Sequence, residues 1–195
     1  GCSALGLEIC SSCRGNWHPH IYRTFSSWQP QFPIYSAVSY SAIAGKILLA
    51  AKENSLKVAD ELILQALKHS LRSCIQERGI GFLVPIPSRK SVARKRGRQF
   101  INELTLSLSQ NSHLAYYENL THIRKVQDQS SLDAKGRYAN LDGSMRSLRY
   151  LSGRAILIDD LVTTGATLSE AARALRIQGI EVAAAVTACV AEPLR

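Results

Sequence analysis

The strongest indication of the fold is the sequence Arg154-Ala-Ile-Leu-Ile-Asp-Asp-Leu-Val-Thr-Thr-Gly-Ala-Thr-Leu168. Its apolar run, residues 155–158, is typical of a strand that is buried on both faces. The adjacent acids Asp159 and Asp160 follow the run, and a short polar turn follows them. In open α/β sheets, ligands bind beyond the carboxyl ends of the strands, so this sequence puts its polar residues where a ligand would lie.

The residues after this strand have the chemistry of a sugar-phosphate site. The carboxylates of Asp159 and Asp160 can accept hydrogen bonds from the vicinal hydroxyls of a ribose, and they would favour a nearby Mg²⁺ that offsets their repulsion. The turn then offers hydroxyls, backbone N–H groups and a glycine, and it leads to the N-terminus of a helix that attracts phosphate. The alternative is an ordinary strand–turn–helix with a threonine cap. The predicted phosphate-binding residues are Thr163, Thr164, Gly165, Ala166 and Thr167.

The rest of the chain alternates strands and helices. Predicted helices cover residues 37–54, 58–78, 99–110 and 167–178, and predicted strands cover 80–86, 115–123, 155–158 and 180–190. This alternation predicts an α/β fold, with a mostly parallel sheet flanked by helices on both faces. Residues 125–140 are polar and suggest a mobile loop with one helical turn.

Composition narrows the class of protein. The chain has 195 residues, 46% of them hydrophobic and 20% charged, which is ordinary for a globular domain. No apolar run reaches the roughly 20 residues of a membrane helix and no export signal is visible, so we expect a cytoplasmic protein without a membrane span. The missing initiator Met suggests a processed or truncated start. The formal net charge of +9 predicts an anionic partner, either a small phosphorylated substrate or nucleic acid.

The sequence from Asp159 to Thr167 resembles the signature of type I phosphoribosyltransferases. The resemblance implies that the two acids hold the ribose hydroxyls of phosphoribosyl pyrophosphate and that residues 163–167 hold its 5′-phosphate. It also implies that the loop after the first sheet strand grips pyrophosphate, which assigns that role to Ser88, Arg89 and Lys90. Thr163 stands where the 6-oxopurine salvage branch has a proton-exchanging Asp, so salvage of hypoxanthine or guanine is disfavoured.

Three blocks together resemble the ComF family, phosphoribosyltransferase-like proteins linked to DNA-uptake competence. They are Val84-Pro-Ile-Pro87 with its basic continuation, residues 128–140, and the Asp-Asp loop. The common branch has Arg-Gly-Phe-Asn-Gln after the basic run, whereas Arg96-Gly-Arg-Gln-Phe-Ile-Asn102 is more similar to the actinobacterial branch. The resemblance covers residues 80–192 well and the first helices loosely. For residues 94–98 a solvated basic helix and a nucleic-acid contact are the alternative interpretations.

Three of the five cysteines lie in the first 13 residues, as Cys2 and the knuckle Cys10-Ser-Ser-Cys13. ComF-like proteins often begin with two such knuckles that form a four-cysteine zinc site, and on that pattern Cys2 is the second cysteine of the first knuckle. His18 or His20 as the fourth ligand, or a thiol pair without metal, are alternatives. We therefore predict a cysteine-bearing element and linker over residues 1–33 and a phosphoribosyltransferase-like domain over 34–195.

The functional hypothesis is Mg²⁺-assisted transfer of a 5-phosphoribosyl group between phosphoribosyl pyrophosphate and a nitrogenous base. Arg124, Lys125 and Arg137 of the polar loop would help to exclude water from an oxocarbenium-like carbon. A binding protein for nucleotide or single-stranded DNA is the alternative, and an RNA-binding regulator is a third possibility. Two-fold association is the default expectation. His69, His113 and His122 have no ligand spacing and are interpreted as structural or surface residues.

Overall fold

A computed structural model of the chain describes residues 9–26, 31–124 and 134–191. Its elements, in chain order, are α1 (Ser11–Gly15), β1 (Tyr22–Phe25), β2 (Pro33–Ser39), α2 (Ala42–Asn54), α3 (Lys57–Arg78), β3 (Phe82–Pro85), α4 (Lys90–Arg96), α5 (Phe100–Ser112), β4 (Leu120–His122), α6 (Ala134–Leu141), β5 (Met145–Ser147), β6 (Arg154–Val162), α7 (Ala166–Ile177) and β7 (Glu181–Val190). No helix within these ranges combines the length and the apolar character that crossing a bilayer requires.

Five strands form the main sheet, in the order β1-β2-β7-β6-β3. β2, β7, β6 and β3 are mutually parallel, and β1 pairs antiparallel with β2 at one edge. β4 and β5 form a separate antiparallel pair. The predicted α/β fold class, with a mostly parallel sheet flanked by helices, is confirmed.

Helices cover both faces of this sheet, as the sequence pattern requires. On one face, Ile156 and Ile158 of β6 pack in the same cluster as buried residues of α2, α3 and α5. On the other face, Leu157 packs in the same cluster as buried residues of α7. Because successive side chains of a strand point to opposite faces, an uninterrupted apolar run is what a strand covered on both sides needs.

The helix predicted over residues 37–54 is wrong at its start. Residues 37–39 belong to β2, six of whose seven residues are buried, and the helix begins only at Ala42. A buried strand lacks the alternation of a half-exposed one, so it merges with the small apolar residues of the following helix. Ser41 marks the true boundary, because its side chain accepts a hydrogen bond from the N–H of Ala44.

The strand predicted over residues 115–123 is shorter than expected. Only Leu120–His122 forms β4, while Tyr116 makes an isolated parallel bridge to Leu83 of β3. The polar segment predicted as a mobile loop contains α6 over its second half, and residues 125–133 lie outside the described ranges. The sequence analysis did not predict β1 or β5.

The N-terminal segment packs on the main core. Cys13 and Trp17 are buried in the same cluster as residues of α3, and β1 extends the main sheet. Residues 22–25, interpreted from sequence as part of the cysteine-bearing element and linker, thus pair with the larger unit. The division at residues 33 and 34 stays a prediction.

Candidate functional site

A cleft of about 240 Å³ opens at the carboxyl ends of β3 and β6. The backbone explains why two distant parts of the sequence meet there. Pro85 is paired with Ile158, and the N–H of Ile86 donates to the carbonyl oxygen of Ile158 at 2.9 Å, so the segments after both strands leave the sheet side by side. The polar and charged residues that line the cleft are Lys52, Ser88, Arg89, Arg96, His122, Asp159, Asp160 and Thr167.

The acid pair lies at one side of this cleft. Asp159 is half-buried and Asp160 is 5% exposed, and the N–H of Asp160 donates to Oδ1 of Asp159 at 2.9 Å. The Nζ of Lys52 forms an ion pair with Oδ2 of Asp160. Burial and then the neighbouring Asp160 charge raise the pKa of Asp159 well above its usual value. Burial would also raise the pKa of Asp160, but Lys52 outweighs it and holds that pKa below the usual value.

The turn after β6 has the geometry of a tight helix entry. Gly165 has a φ of 74°, a left-handed conformation that glycine adopts readily, and α7 begins at the next residue. Thr164 is buried, and its Oγ1 accepts a hydrogen bond from the N–H of Ala166 at 3.3 Å. Thr167 lines the cleft, whereas Thr163, Thr164, Gly165 and Ala166 form the turn beside it.

The basic segment after β3 divides into two groups. Ser88 and Arg89 line the cleft, as the predicted pyrophosphate loop requires, but Lys90 is exposed at the start of α4. Arg96 lines the cleft and pairs with Glu53 of α2 at 2.6 Å. The Arg98 side chain does not line the cleft and instead contacts α3 and α5.

Arg98 is a structural residue. Its guanidinium bonds to Asp60 at 2.9 Å and to Glu103 at 2.6 Å, and thereby connects α3 with α5. Arg94 and Lys95 are exposed on α4. The alternative interpretation of a basic helix in solvent therefore fits those two residues and fits neither Arg96 nor Arg98.

Of the three residues predicted to come from the polar loop, the structure describes the side chain of Arg124, which does not line the cleft. Arg124 is exposed, and its Nη2 donates to the backbone carbonyl of Asp142 at 2.6 Å. Lys125 lies outside the described residues. Arg137 belongs to α6, and its side chain is outside the description.

Sequence reasoning missed two cleft residues, Lys52 and His122. Lys52 lies in a helix far from both motifs, and its neighbours carry no signal of a site. His122, predicted to be a structural or surface residue, lines the cleft, and its Nε2 lies 3.1 Å from the carbonyl oxygen of Pro87. Its Nδ1 is buried without a hydrogen-bond partner among the described residues. Burial lowers the pKa of His122, so the ring is neutral at neutral pH.

A buried acid on α7 fixes the β4–β5 pair next to the cleft. Oε1 of Glu170 accepts from the N–H of Met145 at 2.7 Å, and Nη2 of Arg173 donates to the carbonyl oxygen of the same residue at 2.9 Å. Glu170 and Arg173 also form an ion pair at 2.6 Å. This clasp satisfies both backbone groups of Met145 and attaches β5 to α7.

The described residues do not form a metal site by themselves. Within residues 9–26, 31–124 and 134–191, no group of three or more His, Cys, Asp or Glu side chains is arranged to hold an ion. At the acid pair, both Asp159 and Asp160 line the cleft, and Lys52 already contacts Asp160. Mg²⁺ typically combines one or two carboxylates with water and substrate phosphates, so at this pair it would have to arrive with a phosphorylated ligand.

Zinc also stays a prediction. Cys10 is exposed and Cys13 is buried at the two ends of the first turn of α1, while Cys2 lies outside the described residues. His18 and His20, the alternative fourth ligands, are exposed. Cys74 and Cys189 are fully buried in the main core, in agreement with their interpretation as packing residues.

No protein-family model and no curated protein matches this chain. Among solved structures, it is similar to an adenine phosphoribosyltransferase from Thermoanaerobacter pseudethanolicus at 12% identity and a TM-score of 0.39, over 86% of this chain and 81% of that one. A second adenine phosphoribosyltransferase is 14% identical with a TM-score of 0.44, over 94% of this chain and 92% of that one. The Giardia lamblia enzyme in complex with 9-deazaadenine is 13% identical with a TM-score of 0.43, over 87% of this chain and 93% of that one. Similarity at this level identifies neither a family nor an activity for the chain.

Proposed function

We propose that this chain binds phosphoribosyl pyrophosphate and transfers its 5-phosphoribosyl group to, or from, a nitrogenous base. One observation carries the proposal: an acid pair at the end of β6 and a Ser-Arg loop at the end of β3 face the same cleft of about 240 Å³. A diol-binding group and a pyrophosphate-binding group that line one cleft can bind the two ends of one small ligand.

The roles follow from the chemistry of each group. Asp159 and Asp160 accept hydrogen bonds from the ribose hydroxyls, the turn of residues 163–167 binds the 5′-phosphate, and Ser88 with Arg89 binds pyrophosphate. In the reaction, the bond from C1′ to the pyrophosphate oxygen breaks and a bond from the base nitrogen to C1′ forms. The cationic groups stabilise the charge that develops on departing pyrophosphate, so no side chain needs to act as a nucleophile.

We further propose that this chain belongs to the actinobacterial branch of the ComF family. The three sequence blocks quoted above support this assignment, and Thr163 argues against salvage of 6-oxopurines. A cytoplasmic location, two-fold association and Mg²⁺ delivered with the pyrophosphate group belong to the same proposal.

The decisive experiment is calorimetric titration of the folded protein with phosphoribosyl pyrophosphate and Mg²⁺. We expect saturable binding that is lost in Asp159→Ala/Asp160→Ala. Asp142→Ala is the matched control, since this acid is exposed and its backbone carbonyl, which accepts from Arg124, is kept in the variant. Full binding by a folded double variant would refute the site, and no binding by the folded wild-type protein would refute the function.

Nucleic-acid binding is the alternative, and it would depend on the exposed basic residues Lys90, Arg94 and Lys95. Such binding should weaken steeply as salt concentration rises, because it releases counterions from the nucleic acid. Titration of labelled single-stranded DNA at low and high salt measures it. If the wild-type protein shows no binding at low salt, this alternative is excluded.

A further inference from the structure

The acid pair of the proposed site has a cation that comes from another part of the chain. The Nζ of Lys52, in the last turn of α2, forms an ion pair with Oδ2 of Asp160. The Lys52 side chain retains 24% of its exposed surface, whereas the Asp160 side chain retains 7%. Lys52 also lines the cleft, so its ammonium group contacts the buried carboxylate and remains within reach of a ligand.

The packing of α2 sets the position of Lys52. Leu48 and Ala51, in the same last turns, are buried in the main core. The next residue, Glu53, pairs with Arg96 of α4 at 2.6 Å. Lys52 and Glu53 of α2 therefore connect Asp160 with Arg96 of α4. Because α2 is fixed by the core and by this second ion pair, it holds Lys52 at the cleft.

The electrostatics of the pair agree with its geometry. Burial alone would lower the pKa of Lys52, but Asp160, with a smaller contribution from Asp159, raises that pKa above its usual value. The same contact lowers the pKa of Asp160 against the effect of burial. Both groups are therefore charged at neutral pH, and the lysine compensates a carboxylate whose burial without a partner would be strongly unfavourable.

We propose that Lys52 is the resident cation at the ribose end of the site, where it neutralises and orients Asp160 and donates a hydrogen bond to the ligand. This inference rests on the proposed function. An ammonium group has three N–H donors, and Asp160 accepts from one of them, which leaves donors for a ribose hydroxyl or the 5′-phosphate. The ribose-phosphate part of the ligand then binds without a divalent ion, and only the pyrophosphate part brings one.

The test is titration with ribose 5-phosphate, which lacks pyrophosphate, in the presence of EDTA. The wild-type protein should bind it, and Lys52→Met should lose at least about tenfold in affinity, the usual effect of removing a hydrogen bond from a charged group. Lys52→Arg keeps the charge and should recover part of the loss, which a purely structural role would not predict. Lys46→Met is the matched control, because Lys46 is exposed on the same helix.

Several outcomes would overturn the inference. A folded Lys52→Met protein with wild-type affinity would do so, and circular dichroism establishes folding. A wild-type protein that binds ribose 5-phosphate only when Mg²⁺ is added would do so without using any variant. In both cases, wild-type binding of phosphoribosyl pyrophosphate with Mg²⁺ would leave the proposed function intact. If the folded wild-type protein binds neither ligand, the proposed function fails, and this inference fails with it.

Discussion

The acid side and the basic side of the cleft look alike in sequence, since each is a run of like charges directly after a buried strand. In the structure they differ. On the acid side, both Asp159 and Asp160 line the cleft, and the N–H of Asp160 donates to Oδ1 of Asp159. On the basic side, only Arg89 and Arg96 reach the cleft, while other members of the run are exposed or form ion pairs elsewhere. A run of like charges in the sequence therefore predicts where a site lies, but it does not predict which residues of the run face the cleft.

The difference arises from the length of the side chains and from the backbone that carries them. Aspartates at the end of a central strand have short side chains, so the strand itself fixes where their carboxylates lie. Arginines on a short surface helix have long side chains that pair with whichever acid is nearest. Around the cleft, some charged residues stabilise the fold and others face the ligand site. The predictions below separate the two kinds by their effects on stability and on ligand binding.

The largest expected effect on stability is that of replacing Glu170, the buried acid that contacts Met145 and Arg173 next to the cleft. Glu170→Ala leaves the N–H of Met145 and the Arg173 guanidinium without their buried acceptor and should destabilise the protein by about 3 kcal/mol. Urea unfolding measures the loss. Glu170→Gln keeps an acceptor for Met145 and should cost less, and the exposed Glu61→Ala should cost about 0.5 kcal/mol at most. Equal stability of Glu170→Ala and wild-type protein would show that the clasp is not structural.

On the basic side, Arg98 is the corresponding structural residue. Burial raises the pKa of Asp60 even though Arg98 acts to lower it, so this carboxylate depends on its arginine. Arg98→Ala should destabilise the protein by about 2 kcal/mol, while the affinity of the remaining folded protein for phosphoribosyl pyrophosphate stays unchanged. Arg98→Met retains the packing of the methylene groups and separates that contribution from the charge. A loss of affinity without a loss of stability would assign Arg98 to the cleft.

Asp159 should show the opposite behaviour, a gain in stability when it is replaced. The pKa of Asp159 is higher in the folded protein than its ordinary value near 4. At a pH between these two pKa values, the unfolded chain has released the Asp159 proton and the folded protein keeps it. Wild-type stability therefore falls as pH rises through this window. Asp159→Asn has no such proton and should be more stable at pH 7 by about 1 kcal/mol, with a smaller difference at pH 4.

Thermal unfolding in EDTA across this pH range tests the Asp159 prediction. Asp160→Asn is the contrasting variant, because Lys52 lowers the pKa of Asp160 and the folded protein gains from its charge. That variant should lose stability at pH 7, since Lys52 is left without its partner. If both variants shift stability in the same direction, the assignment of different charge states to the two aspartates is wrong.

These contrasts show how far the sequence could predict the site. The strand, the acid pair and the turn were predicted because they are contiguous, and the parallel pairing of β3 with β6 brought Ser88 and Arg89 to the same cleft. Lys52 could not be predicted, because its contact with Asp160 depends on how α2 packs across more than 100 residues of sequence. The position of His122 at the cleft could not be predicted for a similar reason, since β4, which carries it, pairs with β5 outside the main sheet.

The fold was predictable to a similar degree. Helices and strands with a clear period, such as α3 and β7, agree with the predicted ranges within a residue or two. β2 was missed because it is buried on both faces and runs directly into α2, so no change of period marks its end. β1 has only four residues and pairs with the next strand, β2, whereas β5 has three residues and depends on β4, which lies more than 20 residues away in sequence.

The smallest expected effect on stability and on binding is that of Arg94→Ala. This variant tests whether the surface arginines and the cleft-facing arginines of the basic run have different roles. Arg94 is exposed on α4 between two cleft residues of the same segment, Arg89 and Arg96. Arg94→Ala should change stability by about 0.5 kcal/mol or less, as surface substitutions usually do, and should leave the affinity for phosphoribosyl pyrophosphate unchanged. Arg89→Ala should weaken that affinity at least about tenfold, because it removes a charged contact to pyrophosphate. If Arg94→Ala weakens binding as much as Arg89→Ala, the whole basic run acts as one electrostatic surface. In that case the distinction between cleft-facing and surface arginines would have to be abandoned.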